Sequence, residues 1–484
     1  MMIVKARIHP AIGIARLGNS SDQFFIGPEV PGSFHSGPFK DDRGRIKRQA
    51  ALFRIYGYDE HDRLVGEITE HEAAIEWSVH VANHKAAWHE FDGLNANTPV
   101  RNADVADRRS LVIDPGPRSL AGPHRIATFD GGAFRGRKVP LGEARTDESG
   151  RLLVLGGFGT SASVPKGRRL ETFANNDGWH DDVSDGPVAA TVTLKGHSRP
   201  LPLLPSWVVC APPDFAPAIP SVITLYDTLL HVAIDRGFLS APAVPSFTRD
   251  VYPILSRAVS MMWVSKMVGT SHEMLVPAFG PGAPAELKHH IVHHLRDPAL
   301  PFDEASEGDM PMLWGDYYED GYSLALTPTQ YDILTKWRDG HFVDDWKGHR
   351  PRQSAHITPD GLDRAALEAC VGGAMYPGFE ASWLLRDHYD LVEPFRLSHQ
   401  GRAAGDVTKQ MSVPWQADFN ECEQDGEYGW WPSQRPDDVY PEDGGEQVPW
   451  KRELVDTNED MVDRWHRLGF VVRKGDRFVE VERG

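Results

Sequence analysis

The first two hundred residues carry short stretches in which apolar and polar positions often alternate. These stretches are rich in β-branched and aromatic residues, and Gly, Pro, Asp and Asn separate them, which is the pattern of strands joined by turns. They read "IVKARIHP", "ALFRIYGYDE", "IEWSVHVAN", "RLLVLGGFG", "ATVTLKG" and "PSWVVCAPP". The pattern predicts a β-rich N-terminal domain over residues 1–210.

The spacing of apolar residues becomes helical after the proline-rich segment 201–220. The stretch "SVITLYDTLLHVAIDRG" places its leucines along one side and stops at Gly237, a residue suited to ending a helix. We therefore set a domain border near residue 210 and predict a mixed, mainly helical domain over residues 211–484. The expected fold class is α+β.

Two further helices carry their own start and stop signals. Thr327 and Gln330 have the spacing of a capping box, with Pro328 at the first helical position and Gly340 after the last turn. Another helix is predicted in "PDGLDRAALEACV", which ends before a Gly-Gly pair.

The last predicted helix opens at Thr457, with Asp460 in capping-box spacing. Apolar residues share one of its faces up to Gly469, and Trp465 is among them, so its indole is expected to point inward. The closing stretch "FVVRKGDRFVEVE" predicts two strands around a Lys-Gly-Asp turn.

Composition and charge narrow the possible partners. The chain has 484 residues, 40% of them hydrophobic, which is enough for two or three domains with a substantial core. Its 69 acidic against 51 basic residues give a net charge of −18, which disfavours nucleic acid and anionic membranes as partners. No apolar stretch is long enough for a membrane span, and the N-terminal residues lack a signal-peptide pattern. We expect a soluble, cytoplasmic protein.

Three cysteines, an odd number spread far apart, argue against a disulfide framework. Cys422 lies in "QADFNECEQDGEYGWWPSQRPDD", a stretch crowded with carboxylates and two adjacent tryptophans. Judged by residue type alone, Cys422 and these indoles would be core packing, and Cys370 at a helix end would be a buried structural thiol. The alternative for a leftover thiol is chemistry.

Two other motifs are weaker candidates for a site. "LGGFGTSASV" is Gly-rich but lacks the spacing of a dinucleotide fingerprint, so it is interpreted as a tight turn. "KHHIVHH" could set imidazoles of His289, His290, His293 and His294 on one helical face as metal ligands, which would suit a metal-dependent hydrolase. The stretch has no Glu between its histidines and does not identify a third ligand on the same face. We therefore interpret it as a solvated helix and predict no metal site.

Several stretches, taken together and in order, carry a resemblance that covers nearly the whole chain. They are "IHPAIGIARLGNS", "RNADV", "LVIDPGPR", "GRLLVLGGFG", "DGPV", "DFAPAI", "LTPTQY", "CVGGAMYPGFE", "GDVTKQMSVPWQADFNEC", "WWPSQRPDDV" and "MVDRWHRLGF". This set resembles the LodA-like family, the lysine ε-oxidase and glycine oxidase proteins. Their cofactor, cysteine tryptophylquinone, is built from a Cys and a Trp of the protein itself.

The resemblance implies a set of site residues. Cys422 would be the thioether half of the cofactor, and Asp418, four residues earlier, the carboxylate beside the quinone. Trp465 is predicted to be the tryptophan half, with Trp431 and Trp430 in reserve. His399 would match a substrate-contacting histidine of the glycine oxidases.

The resemblance also implies a function and partners. We expect a quinone-dependent oxidase that deaminates a primary amine or amino acid with O2, together with a flavin-dependent maturation protein and a homo-oligomer. Tyr376 stands where the lysine oxidase has a second cysteine, and the loop between Cys422 and "WWP" is shorter, so the substrate is left open. The rival hypothesis is a scaffold homologue without the quinone, acting as a binding protein or as the modification substrate of a flavoprotein.

Overall fold

A computed structural model describes most of the chain. The described residues are 2–91, 98–269, 272, 280, 282–300, 310, 325–349, 356–372, 391–422 and 433–484.

The strands lie mainly in the first half of the chain, as the alternating pattern predicts. In chain order they are Lys5–His9 (β1), Ile12–Arg16 (β2), Phe24–Ile26 (β3), Arg48–Tyr58 (β4), Leu64–Ile68 (β5), Ala73–Val79 (β6), Arg118–Ala121 (β7), Ile126–Thr128 (β8), Ala133–Phe134 (β9), Arg137–Lys138 (β10), Glu143–Thr146 (β11), Leu152–Leu155 (β12), Ala162–Ser163 (β13), Trp179–His180 (β14), Ser184–Leu194 (β15), Leu203–Leu204 (β16), Ser206–Ala211 (β17), Leu391–Glu393 (β18), Arg396–Leu397 (β19), Asp438–Val439 (β20), Val448–Pro449 (β21), Phe470–Lys474 (β22) and Arg477–Val481 (β23). Each of the six predicted stretches contains a strand, and the closing hairpin is confirmed as β22 and β23.

One large sheet organises the N-terminal half. Its main path runs β7-β6-β15-β17-β2-β4-β12-β11-β8, with β1, β3, β5 and β16 attached beside it. All eleven residues of β4 are buried, and this strand pairs with β1, β2, β3, β5 and β12. A strand covered on both faces reads as a nearly continuous apolar run, as "AALFRIYGY" does.

Among the described residues, the α-helices all follow β17, while the chain before β17 has two short 3-10 helices. The α-helices are Leu225–Asp235 (α1), Tyr252–Ser260 (α2), Ala285–His293 (α3), Pro328–Arg338 (α4), Pro359–Glu368 (α5), Trp415–Glu421 (α6) and Asn458–Arg464 (α7). The predicted capping boxes at Thr327 and Thr457 are both present, and Gly237 and Gly340 follow their helices with φ of +75° and +77°. These observations confirm the α+β fold class.

The helix predicted from Thr457 is shorter than expected. It ends at Arg464, and Trp465–Arg467 forms a 3-10 turn. After this turn the chain reaches β22 through Gly469. A Cβ atom at Gly469 would lie 2.4 Å from Cγ of Glu480. Trp465 nevertheless points inward and is only 3% exposed, as predicted.

Two apolar clusters fill the interior. One lies on the sheet and includes Phe53 and Trp77, while the larger one brings Trp207 of β17 together with Trp415 and Trp465 from the C-terminal half. The large cluster therefore draws on both sides of residue 210, and the domain border there stays a prediction. In the described part of the chain, no helix combines the length and apolarity that crossing a membrane requires.

Candidate active site

The short helix α6 carries two of the predicted site residues into the interior. Asp418 is 1% exposed, and Cys422, the residue that ends the helix, is 5% exposed. One helical turn separates them, so their side chains meet, and the Cys422 thiol donates to Oδ1 of Asp418 over 2.7 Å. The structure thus brings together the thiol and the carboxylate that the sequence paired.

A buried ion pair holds the first turn of α6. Oδ2 of Asp181 accepts the backbone N–H of Trp415 at 3.0 Å and the Lys85 ammonium at 2.5 Å. Lys85 also donates to the carbonyl of Ser412 at 2.6 Å. Both side chains are fully buried, so each compensates the charge of the other where water does not reach.

Helices α6 and α7 pack antiparallel. Asn420 donates to Asn458 at 2.8 Å, while the rings of Trp415 and Trp465 meet edge to face with centroids 5.4 Å apart. Trp465 therefore lies at the Trp415 end of this interface, and Cys422 lies at the Asn458 end. Seven residues of helix rise about 10 Å, so the two predicted halves of the cofactor are offset along the helix axis.

A glycine loop between β12 and β13 packs against Trp465. Gly159 has φ of +70°, and a Cβ atom there would lie 2.2 Å from Cζ2 of the Trp465 indole. Only glycine combines this backbone conformation with so close an approach. The sequence identified the loop as a turn, but its contact with Trp465 was not predicted.

The same loop is tied to α6. The side-chain amide of Gln416 donates to the Gly159 carbonyl at 3.1 Å, and the Ser161 hydroxyl donates to Oε1 of Gln416 at 2.6 Å. Gln416 is fully buried, so these two bonds satisfy a polar side chain that water does not reach.

Asp182 supports the loop from the other side. Its Oδ2 accepts the N–H groups of Phe158 at 2.6 Å and Thr160 at 3.0 Å. Burial raises the pKa of Asp182 to about 7, although the two backbone N–H groups act to lower it. Its Oδ1 has no hydrogen-bond partner within the described ranges.

His399 packs against a residue of β17. Its ring packs edge to face on Trp207 with centroids 5.2 Å apart, and Nε1 of Trp207 donates to Asp185 at 2.9 Å. Burial lowers the pKa of His399. No contact recorded among the described residues joins His399 to Asp418 or Cys422, so its role in substrate binding stays a prediction.

The reserve tryptophans Trp430 and Trp431, and also Tyr376, lie outside the described residues. The chain that follows the two tryptophans returns to α6, because Nε of Arg435 donates to the Phe419 carbonyl at 2.8 Å. Arg435 is buried, so this bond fixes the chain at residue 435 against the helix that carries Asp418.

The remaining cysteines and the histidine helix contribute no comparable site. Cys210 and Cys370 are buried free thiols, and burial raises the pKa of each to about 12, so both stay protonated at neutral pH. In α3 the ring of His289 bonds back to the Ala285 carbonyl at 2.9 Å. Over the described ranges, no three His, Cys, Asp or Glu side chains are grouped so that they could hold a metal ion.

Comparison with known proteins gives consistent matches along the chain. Family models described as L-lysine epsilon oxidase N-terminal and L-lysine epsilon oxidase C-terminal domain match residues 9–210 and 308–442. The L-lysine 6-oxidase of Marinomonas mediterranea is 30% identical, in an alignment that covers 86% of this chain and 70% of that protein.

Solved structures of the L-Lys epsilon-oxidase from Marinomonas mediterranea share the fold. One, described as the Schiff base intermediate with L-Lys, has a TM-score of 0.81 and 26% identity over 99% of this chain and 95% of that one. Another has a TM-score of 0.80 and 25% identity over 99% and 94%. These matches define a class, the oxidoreductases that act on amines. The chain belongs to the L-lysine epsilon-oxidase, or LodA-like, family.

Proposed function

We propose that the protein is a quinone-dependent oxidase of a primary amine or amino acid. In the overall reaction one amine, one O2 and one water give one aldehyde or keto acid, one ammonia and one hydrogen peroxide. The amine carbon loses two electrons, and O2 takes them up. The observation that carries the proposal is the buried Asp418–Cys422 contact, in a chain that belongs to an oxidase family.

The residues at the end of α6 fit a cysteine tryptophylquinone. Cys422 is in no disulfide, as a thioether precursor must not be, and its thiol already donates to a carboxylate oxygen. Nε1 of Trp415 is a buried donor with no hydrogen-bond partner in the described part of the chain, so it can serve a polar group that occupies the site. The quinone supplies an electrophilic carbonyl and a sink for two electrons.

The identity of the tryptophan half is the least constrained part of the proposal. Trp465 is the tryptophan predicted first, and the offset between the two ends of the α6–α7 interface weighs against it. Trp430 and Trp431 are only eight and nine residues beyond Cys422, and Arg435 ties the chain that follows them to Phe419. We therefore favour the reserve pair, with Trp465 as the alternative that peptide mapping decides.

Asp418 is the proposed base both in cofactor formation and in turnover. During maturation it can take the proton of the Cys422 thiol, to which it is already hydrogen-bonded. During turnover it can take the α-proton of the bound amine, a task for a positioned carboxylate. Burial at 1% exposure keeps competing water away from it.

Two aromatic side chains share helix α6 with this carboxylate. Trp415 and Phe419 are fully buried, and their rings meet edge to face with centroids 4.9 Å apart. A wall of this kind excludes water and shields a reactive group from side reactions. It explains why the sequence concentrates aromatic residues around a cysteine.

The substrate class follows from the relatives. The matched relative is named for L-lysine, so amino acids with a primary amine are the first candidates. Cofactor formation needs an oxidant, which we assign to a flavin-dependent maturation protein using O2. A homo-oligomer is part of the same proposal.

A coupled peroxidase assay tests the function. The chain is expressed with its genomic neighbours, the modification is verified by intact mass, and glycine, lysine and other primary amines are supplied with O2. Hydrogen peroxide and ammonia should appear in equal amounts with at least one amine. A verified quinone that yields no peroxide with any amine would contradict the proposal.

A further inference from the structure

Two consecutive aspartates stand behind the helix that carries the proposed site. Asp181 binds the first N–H of α6 directly, while Asp182 binds the loop that contacts the same turn of the helix. Both residues lie between β14 and β15, and the two carboxylates bind different segments of the chain. The proposed mechanism gives neither residue a task.

Asp182 reaches α6 through a short series of contacts. Its carboxylate holds the N–H groups on either side of Gly159, and a Cβ atom at Gly157 would lie 2.5 Å from its Oδ2. The loop held in this way presents the Gly159 carbonyl and the Ser161 hydroxyl to Gln416, the second residue of α6. Asp418 and Cys422 follow on the same short helix.

The loop has further support that leaves it little freedom. The guanidinium of Arg48 lies over the Phe158 ring at 4.6 Å from its centroid, and its Nη1 donates to the Gly156 carbonyl at 3.4 Å. Arg48 itself is fixed by Glu143 at 2.7 Å. Loss of Asp182 would therefore remove the hydrogen bonds at the centre of the loop, while the contacts of Arg48 with Gly156 and Phe158 remain.

We infer that Asp182 is a positioning residue for the cofactor site, acting through the Gly156–Ser161 loop and Gln416 to set the place of α6. The inference rests on the proposed function, because the group positioned is the Asp418–Cys422 pair. Covalent joining of a cysteine to an indole depends on atomic distance, and a misplacement of about 1 Å costs roughly a hundredfold in rate. Cofactor formation is therefore a sensitive measure of the position of α6.

The test compares Asp182→Ala with Asp182→Asn, each expressed with the maturation machinery and purified as folded protein. Asparagine keeps an oxygen that can accept both loop N–H groups, whereas alanine keeps none. Intact mass gives the crosslinked fraction, and near-ultraviolet circular dichroism confirms folding. We expect the alanine variant to lose at least about tenfold in crosslinked fraction and the asparagine variant to stay within about twofold of wild type.

Asp363→Ala is the matched control. Asp363 is also a buried carboxylate, and it accepts the Ala11 N–H at 2.6 Å and bonds the His9 ring at 3.0 Å, partners that belong neither to the loop nor to α6. It should be destabilised without losing the crosslink. If it loses as much crosslink as Asp182→Ala, general destabilisation explains the effect and the inference is overturned.

A second variant covers the case in which Asp182→Ala does not fold. Gln416→Leu removes the link between the loop and α6 at similar volume, and it should show the same loss of crosslink in folded protein. Full crosslinking in either folded variant, or an asparagine variant as deficient as alanine, overturns the inference. Wild-type protein is measured alongside. An unmodified wild type would overturn the proposed function, whereas with a crosslinked wild type the variants test the positioning role of Asp182.

Discussion

Strand β4 and helix α6 are both buried, yet they are built in opposite ways. Every backbone partner of β4 belongs to the N-terminal half, and its Arg54 side chain pairs with Glu29 and Glu67 from nearby strands and loops. Helix α6 takes its partners from remote segments, such as Asp181, Gly159 and Asn458. A sheet interior thus follows from local pattern, whereas the site follows from contacts across the whole chain.

The two regions also differ in polar content. The interior around β4 is apolar, with charged groups paired at its margins, as expected for a region whose task is stability. The neighbourhood of α6 keeps a thiol, a carboxylate and an indole N–H buried together. Buried polar groups weaken a core, so their concentration in one place indicates chemistry.

The largest effect is expected from Cys422→Ser. Serine cannot form the thioether, so peroxide release should fall to background while the fold persists. Cys370→Ser is the matched control, because it alters another buried free thiol and should remain active. Peroxide assays on both variants measure the difference. An active Cys422→Ser protein would mean that α6 is as purely structural as β4.

Asp418→Asn should come next in size. It removes the base at nearly constant volume, so the protein should fold, with incomplete cofactor or with turnover slowed at least about a hundredfold. Asp214→Asn serves as control, since Asp214 is a partly buried carboxylate that accepts the Ala216 N–H, a bond that an asparagine oxygen can also accept. Visible absorbance and peroxide release are read side by side. A fully coloured and fully active Asp418→Asn protein rules out the assignment of Asp418.

Two glycines with the same backbone conformation compare the loop at the site with a surface turn. Gly159 and Gly44 have φ of +70° and +72°, but a Cβ atom meets Trp465 at Gly159 and open space at Gly44. Alanine at Gly44 should cost about 1 kcal/mol through backbone strain, and alanine at Gly159 about 3 kcal/mol through strain plus overpacking. Urea denaturation measures both variants, and equal costs would show that the loop yields freely.

A further effect concerns the pH dependence of stability. Burial raises the pKa of Asp182 to about 7, so between about pH 4 and 7 the folded chain holds a proton that the unfolded chain has released. That carboxyl therefore lowers the free energy of unfolding increasingly as the pH rises through this window. Asp182→Asn should gain stability relative to wild type from pH 4 to 7, measured by urea denaturation. A difference that is constant with pH would show that Asp182 does not titrate there.

The contribution of two turns in the β-rich half to stability should depend on pH with the opposite sign. Although burial acts to raise it, hydrogen bonds from neighbouring side-chain and backbone groups lower the pKa of Asp41 and of Asp59 to about 2. The unfolded chain then binds the proton first as the pH falls, so the stability these turns contribute is lost between about pH 4 and 2.

Local signals in the sequence were sufficient for part of the fold, although helices α2 and α6 were not predicted. The strands, the capping boxes at Thr327 and Thr457 and the inward face of Trp465 all depend on residues within a few positions of one another. The end of α7 was missed, because the α-helix stops at Arg464 and a 3-10 turn over Trp465–Arg467 follows, although the apolar face continues to Leu468.

The site could be predicted only in part. The Asp418–Cys422 spacing is local and was found. In contrast, Asp182 binds residues more than twenty positions away, and Gly159 binds a residue more than two hundred and fifty positions away. Three closely spaced glycines were the available signal in "LGGFGTSASV", and no spacing rule connects them to Trp465 or Gln416.

The most direct test of the central claim is the mass of the intact mature chain, followed by a peptide map. The account predicts two added oxygen atoms and four lost hydrogens relative to the sequence, with the peptide of Cys422 joined to that of Trp430 or Trp431. A join to Trp465 would overturn the choice made from the packing of α6 and α7. An unmodified mass with a free Cys422 thiol, in protein matured in its own host, would contradict the account itself.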